Sequence, residues 1–153
     1  MTIVLDKNGI YEYQQNREPY LMIDYASEVI PGVSAKGYKD FKNDEWFFKV
    51  HWKNDPNVPG MLQIESLVQM SALSILSLPG NKGKVVYLIS ADKLKFIKKI
   101  LPGSRLFIDT KIKSFKRGIA VCEGVGLIED SLACKAEFNL ILPEEIKKYN
   151  LNK

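Results

Sequence analysis

The sequence predicts an α+β domain, on three observations. Residues 60–78 (GMLQIESLVQMSALSILSL) form one long apolar run of helix length. Two strand-like runs joined at Pro31-Gly32 precede it and read as a hairpin. Four runs of strand composition follow it. One helix among strands that are not interleaved with further helices is an α+β pattern. At 153 residues the chain is expected to be one domain, residues 1–153.

Residues 1–18 are mixed and polar, and leave a short helix and an arm both open. Residues 20–25 (YLMIDY) read as a strand. Pro31-Gly32 is a turn signal, and residues 33–41 (VSAKGYKDF) read as the returning strand, broken at Asn43-Asp44. Residues 45–50 (EWFFKV) bring three aromatics up to His51, where packing beneath the next loop is their ordinary role.

The long helix carries a single charge, Glu65. A surface helix needs a charged face, so this one is read as a core helix wrapped on several sides. It would be about 28 Å long, close to a membrane span. Its serines, two glutamines and the carboxylate favour an enclosed soluble helix without membrane insertion. Pro79-Gly80 ends it. Residues 84–91 (KVVYLISA) are β-branched and aromatic, hence a strand. Residues 100–103 (ILPG) are a break. Residues 106–115 alternate by face, Lys116-Arg117-Gly118 is a hairpin turn, and residues 119–128 and 132–142 are two further strands. Residues 143–153 are a Lys-rich tail that can open with a short helix at Pro143.

Composition narrows the class. The net charge of +4, from 22 basic against 18 acidic residues, is too small to argue for nucleic acid. Cys122 and Cys134 lack metal-type spacing and read as reduced core residues of a cytoplasmic protein, and residues 1–9 show no secretory signal. No metal and no cofactor is called for. Positive residues bunch at Lys93, Lys95, Lys98 and Lys99, and again from Arg105 to Arg117. A solvated strand face explains such a run, and so does docking of an acidic partner.

The chemistry-bearing stretch is residues 51–69 (HWKNDPNVPGMLQIESLVQ). It holds the only histidine, His51, and fourteen positions later Glu65 in apolar surroundings. A carboxyl group there is costly unless it is paired, hydrogen-bonded or protonated; burial would raise its pKa, which suits a proton donor, and a wet helix edge or a structural pair is the other reading. An imidazole titrates near neutral pH and suits a base. The amides of Gly60 and Met61 begin the helix, where unpaired N–H groups and the dipole attract negative oxygen. Gln69, one turn after Glu65, is placed to orient the carboxylate.

The order His51, Pro56, Pro59-Gly60, Glu65, Gln69 resembles the active-site segment of the bacterial 3-hydroxyacyl-acyl-carrier-protein dehydratases. Residues 19–24 (PYLMID), 91–96 (ADKLKF), 101–103 (LPG) and 116–118 (KRG) resemble further landmarks of that family, in its order, over roughly residues 10–142. Two departures stand out. Val50-His51-Trp52-Lys53 replaces the family's usual Gly-His-Phe-Pro, and Asn16 stands near a position that is often His. The resemblance implies a hotdog fold, a curved antiparallel sheet wrapped around one long central helix. It implies dehydration of a 3-hydroxyacyl carrier-protein thioester in fatty acid or specialised acyl-chain synthesis. His51 would be the base and Glu65 the acid, Gly60 and Met61 would hold the thioester oxygen, and Gln69 would orient Glu65. Tyr87, Phe47, Val58 and Phe96 would be acyl-tunnel candidates. Lys93, Lys95, Lys98, Lys99, Lys116 and Arg117 would dock the acidic acyl carrier protein. It also implies a homodimer with active sites shared between subunits, and a trimer of dimers beyond that. Two other readings stay open: a non-catalytic hotdog subunit that binds carrier protein, and a hotdog thioesterase.

Overall fold

The computed structural model describes residues 1–150. In chain order the elements are β1 (Ile3–Leu5), α1 (Lys7–Tyr13), β2 (Tyr25–Ile30), β3 (Ser34–Asp40), a 3-10 turn (Trp46–Lys49), α2 (Gly60–Leu76), β4 (Tyr87–Phe96), β5 (Arg105–Lys116), β6 (Ile119–Ile128), β7 (Ser131–Ile141) and α3 (Pro143–Asn150). All seven strands form one antiparallel sheet in the order β1-β2-β3-β5-β6-β7-β4. The sheet wraps α2, which packs on β2, β3, β5, β6 and β7. This is the hotdog arrangement that the sequence led us to expect.

The reading of α2 as a core helix holds. Gln63, Ile64 and every residue from Ser66 to Leu76 are buried. The alternation read in residues 106–115 is also real. Leu106, Ile108 and Thr110 face α2 and are buried, whereas Phe107, Asp109 and Lys111 are exposed. Arg117 and Gly118 both take positive φ, 53° and 81°, and close the β5–β6 hairpin. The thiols of Cys122 and Cys134 are free, and burial pushes both up to about 11. They are packing groups rather than nucleophiles.

Three segments differ from the sequence reading. Residues 20–24 are not a strand; β2 begins at Tyr25. Leu21, Met22 and Ile23 are fully buried as they cross α2, but a side chain meets their backbone there. Gln69 Oε1 accepts from Met22 N–H at 2.7 Å, and Gln69 Nε2 donates to the Tyr20 carbonyl at 2.9 Å. The apolar run was legible, but its hydrogen-bond partner was not. Next, the strand placed at residues 84–91 is β4, shifted to Tyr87–Phe96. Residues 92–96 (DKLKF) have weak β-propensity, and pairing with β7, as far as Phe96 opposite Cys134, makes them a strand. A bulge interrupts the pairing between Asp92 and Lys95, where Lys93 takes φ 51° and Asp92 Oδ1 accepts from its N–H at 2.7 Å. Finally, the N-terminal stretch resolves into both β1 and α1, with Asp6 capping α1 through Gly9 N–H at 2.9 Å.

Gly37 of β3 is pressed between the neighbouring strand β2 and a side chain of α2. A Cβ there would lie 1.9 Å from the Tyr25 carbonyl oxygen and 2.7 Å from Met70 Cε of α2. The paired backbone of Tyr25 cannot yield by that much without breaking the β2–β3 ladder. Gly37→Ala is therefore expected to destabilise the fold by about 3 kcal/mol or more. A urea titration would show this as a lower midpoint at unchanged slope, and an unchanged midpoint would refute the packing account.

Candidate active site

Two cavities flank the beginning and the middle of α2, and they share no lining residue. The first, of about 340 Å³, is lined by Glu65, Val68, Gln69, Ala72 and Leu76 of α2 and by Tyr87 of β4, among others. Glu65 is half-buried, and the loss of solvent raises its carboxyl above the ordinary carboxylate range. The hydrogen bond from Gln69 Nε2 to Glu65 Oε1, at 2.8 Å, works in the opposite direction and is the smaller effect. Tyr20 belongs to the same neighbourhood. Burial, and then the nearby Glu65 carboxylate, raises its phenol. The sequence reading took Tyr20 only as a strand residue.

The second cavity, of about 470 Å³, is lined by Val58, Gly60, Met61 and Phe96 together with Lys98 and Lys99. Leu62 and Gln63 N–H reach back to the Pro59 carbonyl at 3.0 and 3.1 Å. The Gly60 and Met61 amides have no helix carbonyl within reach at this end. A Cβ on Gly60 would meet the Phe96 ring at 2.9 Å, so glycine lets Phe96 close over the helix start.

His51 lines neither cavity, but it is tied to the second through Asn57. Its Nδ1 lies 3.1 Å from the carbonyl of Asn57, a lining residue. A carbonyl only accepts, so Nδ1 carries the proton in the neutral ring and Nε2 presents a lone pair. Backbone hydrogen bonds hold this loop in place. His51 N–H donates to the Phe47 carbonyl at 2.9 Å, and Val58 N–H to the Ile100 carbonyl at 2.9 Å. Asn57 went unnoticed in the sequence because its contribution is a backbone carbonyl, which no residue type reveals.

The other candidates spread out. Tyr87 lies in the Glu65 cavity; Val58 and Phe96 lie in the Gly60 cavity. Phe47 lines neither and packs edge-on against Phe41, Trp46 and Phe48. Of the docking candidates, Lys98 and Lys99 stand at the Gly60 cavity, with Lys99 paired to Asp55 at 2.8 Å. Lys93 and Lys95 line a groove on the outer face of the sheet, where Lys93 meets Glu137 at 3.4 Å. Lys116 and Arg117 lie at the hairpin near Ile119, which pairs with Ile141 as does Tyr87. That is the opposite end of β4 from Lys98, about 30 Å away at strand rise.

The fold and these residues define a member of a known class: the chain belongs to the FabA-like domain family, which matches residues 15–137. Among curated proteins it is 36% identical over 140 residues to the 3-hydroxyacyl-[acyl-carrier-protein] dehydratase FabZ of Natranaerobius thermophilus, covering 92% of this chain and 99% of that one. It is 35% identical to the FabZ of Clostridium novyi over 84% of this chain and 93% of that one. Among solved structures, the dehydratase heterocomplex ApeI:P of Xenorhabdus doucetiae shares the fold with a TM-score of 0.74 at 14% identity, covering 94% of this chain and 97% of that one.

Gln69 supports both Glu65 and the crossing segment. Gln69→Leu strands the buried Met22 N–H and is expected to cost about 2–3 kcal/mol, read as a lower denaturation midpoint. The raised carboxyl of Glu65 gives a pH signature. The native state holds that proton more tightly than the unfolded chain, so stability falls as pH rises from the ordinary carboxylate range through the raised value. Glu65→Gln is accordingly near neutral at acid pH and stabilising at neutral pH. Midpoints compared well below and well above the carboxylate range test this, and a pH-independent difference would contradict it.

Proposed function

We propose that this protein dehydrates 3-hydroxyacyl thioesters carried on acyl carrier protein, giving the trans-2-enoyl thioester and water. The observation that carries the reading is a carboxyl group whose pKa is raised by burial, together with an imidazole whose Nε2 is left free by a carbonyl on Nδ1. The relatives named above as 3-hydroxyacyl-[acyl-carrier-protein] dehydratases support it.

In this mechanism His51 Nε2 takes the proton from the carbon beside the thioester carbonyl. The developing enolate oxygen is held by the Gly60 and Met61 N–H groups. As the enolate collapses to the double bond, the Glu65 carboxyl gives its proton to the departing 3-hydroxyl, which leaves as water. His51 then holds one proton more and Glu65 one fewer, and transfer between them through solvent resets the site. Gln69 keeps Glu65 Oε1 oriented throughout. The lysines at the Gly60 cavity, Lys98 and Lys99, are the best placed of the basic residues to meet an acidic carrier protein.

In one chain the Glu65 cavity is separate from the Gly60 cavity to which the His51 loop is tied, and β4 links the two. Tyr87 at its start lies in the Glu65 cavity, and Phe96 at its end lies in the Gly60 cavity. β4 is an edge strand paired only with β7. It exposes Tyr87, Leu88, Ile89 and Phe96. A second copy pairing antiparallel along this edge sets Tyr87 of one chain near the partner's Phe96. The Glu65 cavity of one copy then faces the His51 side of the other. We read the active unit as a homodimer with two shared sites.

Both His51→Ala and Glu65→Gln are expected to lower kcat about a thousand-fold, measured by hydration of a 2-enoyl thioester or its reverse. Release of free acid and thiol instead would indicate a thioesterase. A mixture of the two inactive variants, re-paired at random, should regain about a quarter of wild-type activity, because each mixed dimer holds one intact site. No recovery would place His51 and Glu65 in the same subunit's site.

A further inference from the structure

When His51 takes the proton from the substrate carbon, its ring takes up a positive charge. Among the described residues no carboxylate is paired with the ring to meet that charge; its Nδ1 is held by the Asn57 carbonyl. The one carboxylate of the loop, Asp55, is paired with Lys99 at 2.8 Å. Glu45 begins the 3-10 turn on which the loop rests, and it is paired with Lys39 at 3.5 Å. The other charged neighbours are cations. Lys49 and Lys53 flank the ring in sequence, and Lys98 and Lys99 stand at the cavity that Asn57 lines.

An indole lies against the ring instead. The centroids of His51 and Trp52 are 5.2 Å apart, with the ring planes inclined at 39°. In extended backbone adjacent side chains point to opposite sides. Here the chain leaves the 3-10 turn through Val50, at φ −113° and ψ −16°, and bends at His51, so the two rings meet. Trp52 is 60% exposed, and core burial does not explain its place. Trp46 shows the contrast. Its ring packs edge-on against Phe47, and its Nε1 donates to the Pro19 carbonyl at 3.4 Å. The Trp52 separation is within the roughly 6 Å at which a cation is attracted to an indole ring, and tryptophan is the strongest aromatic partner for one. The attraction acts on the charged ring and hardly on the neutral one. It therefore grows as the proton is transferred, which is the kind of interaction that lowers a barrier.

We propose that Trp52 is a positioning residue for the base: its indole holds the His51 ring and stabilises the positive charge that the ring carries after proton abstraction. This rests on the dehydratase reading and adds to it the group that stands where a carboxylate partner of the imidazole would otherwise be needed.

Two variants and one spectroscopic signal test this. Trp52→Leu removes the indole, and Trp52→Phe keeps an aromatic face. In hydration of a 2-enoyl thioester, Trp52→Leu should lower kcat about fivefold with KM unchanged, and Trp52→Phe should recover most of the loss. An unchanged kcat in Trp52→Leu overturns the proposal, as does an equal loss in both variants or a loss carried by KM. The ring contact has its own readout, independent of turnover. Trp46→Phe leaves Trp52 as the sole tryptophan. A protonated imidazole against an indole quenches its emission, so emission should fall as the pH is lowered from about 8 to about 5. Adding His51→Gln should abolish that fall. No fall, or a fall that persists without His51, overturns the proposal. Wild type that turns over no thioester overturns the dehydratase reading and this proposal with it, whereas turnover that Trp52 does not influence overturns this proposal alone.

Discussion

One primary amide holds the molecule's interior together. Gln69 sits on the enclosed face of α2 and makes three bonds: it accepts from Met22 N–H and donates to the Tyr20 carbonyl and to Glu65 Oε1. A largely enclosed helix can tolerate few polar groups, and Gln69 is one that is satisfied from within. Here the same amide closes the backbone of the crossing segment and orients the candidate acid. The tertiary structure and the candidate acid therefore cannot vary separately. A change that lets residues 20–23 slide on the helix also turns the carboxyl group.

The same constraint explains what the sequence revealed. α2 was legible because a helix wrapped by a sheet needs no charged face, and a single glutamate in nineteen residues is visible by inspection. β5, β6 and β7 were legible because one face of each meets α2, and alternation follows from that burial. Residues 20–24 misled because burial alone resembles a strand, while the bonding partner is a side chain 47 residues away. β4 was misplaced for the opposite reason. It is exposed along nearly its whole length, so no burial pattern marks its end, and its extent is set by its register with β7.

The site was legible in its residue types and not in its arrangement. His51 and Glu65 stand out as the one imidazole and as the one charge on an apolar helix. That Glu65 lines one cavity while His51 is tied through Asn57 to the edge of another is set by the tertiary fold, and no spacing announces it. The basic residues show the same limit. In the sequence they fall in two neighbouring bunches, yet the fold sets Lys98 and Lys116 at opposite ends of β4, and among the docking candidates only Lys98 and Lys99 stand at the cavity that holds the thioester-binding candidates.

Exposure of β4 is the feature that makes sense of the divided site. A ten-residue edge with apolar side chains on display is a standing invitation to pair, and nothing within the described residues covers it. The bulge at Asp92–Lys95 limits how far and in what register a partner strand can bond, because it breaks the regular spacing of free backbone groups. In the homodimer proposed above, pairing centred between Tyr87 and Phe96 would satisfy the edge and complete both candidate sites in one step, so that catalytic competence would be coupled to association.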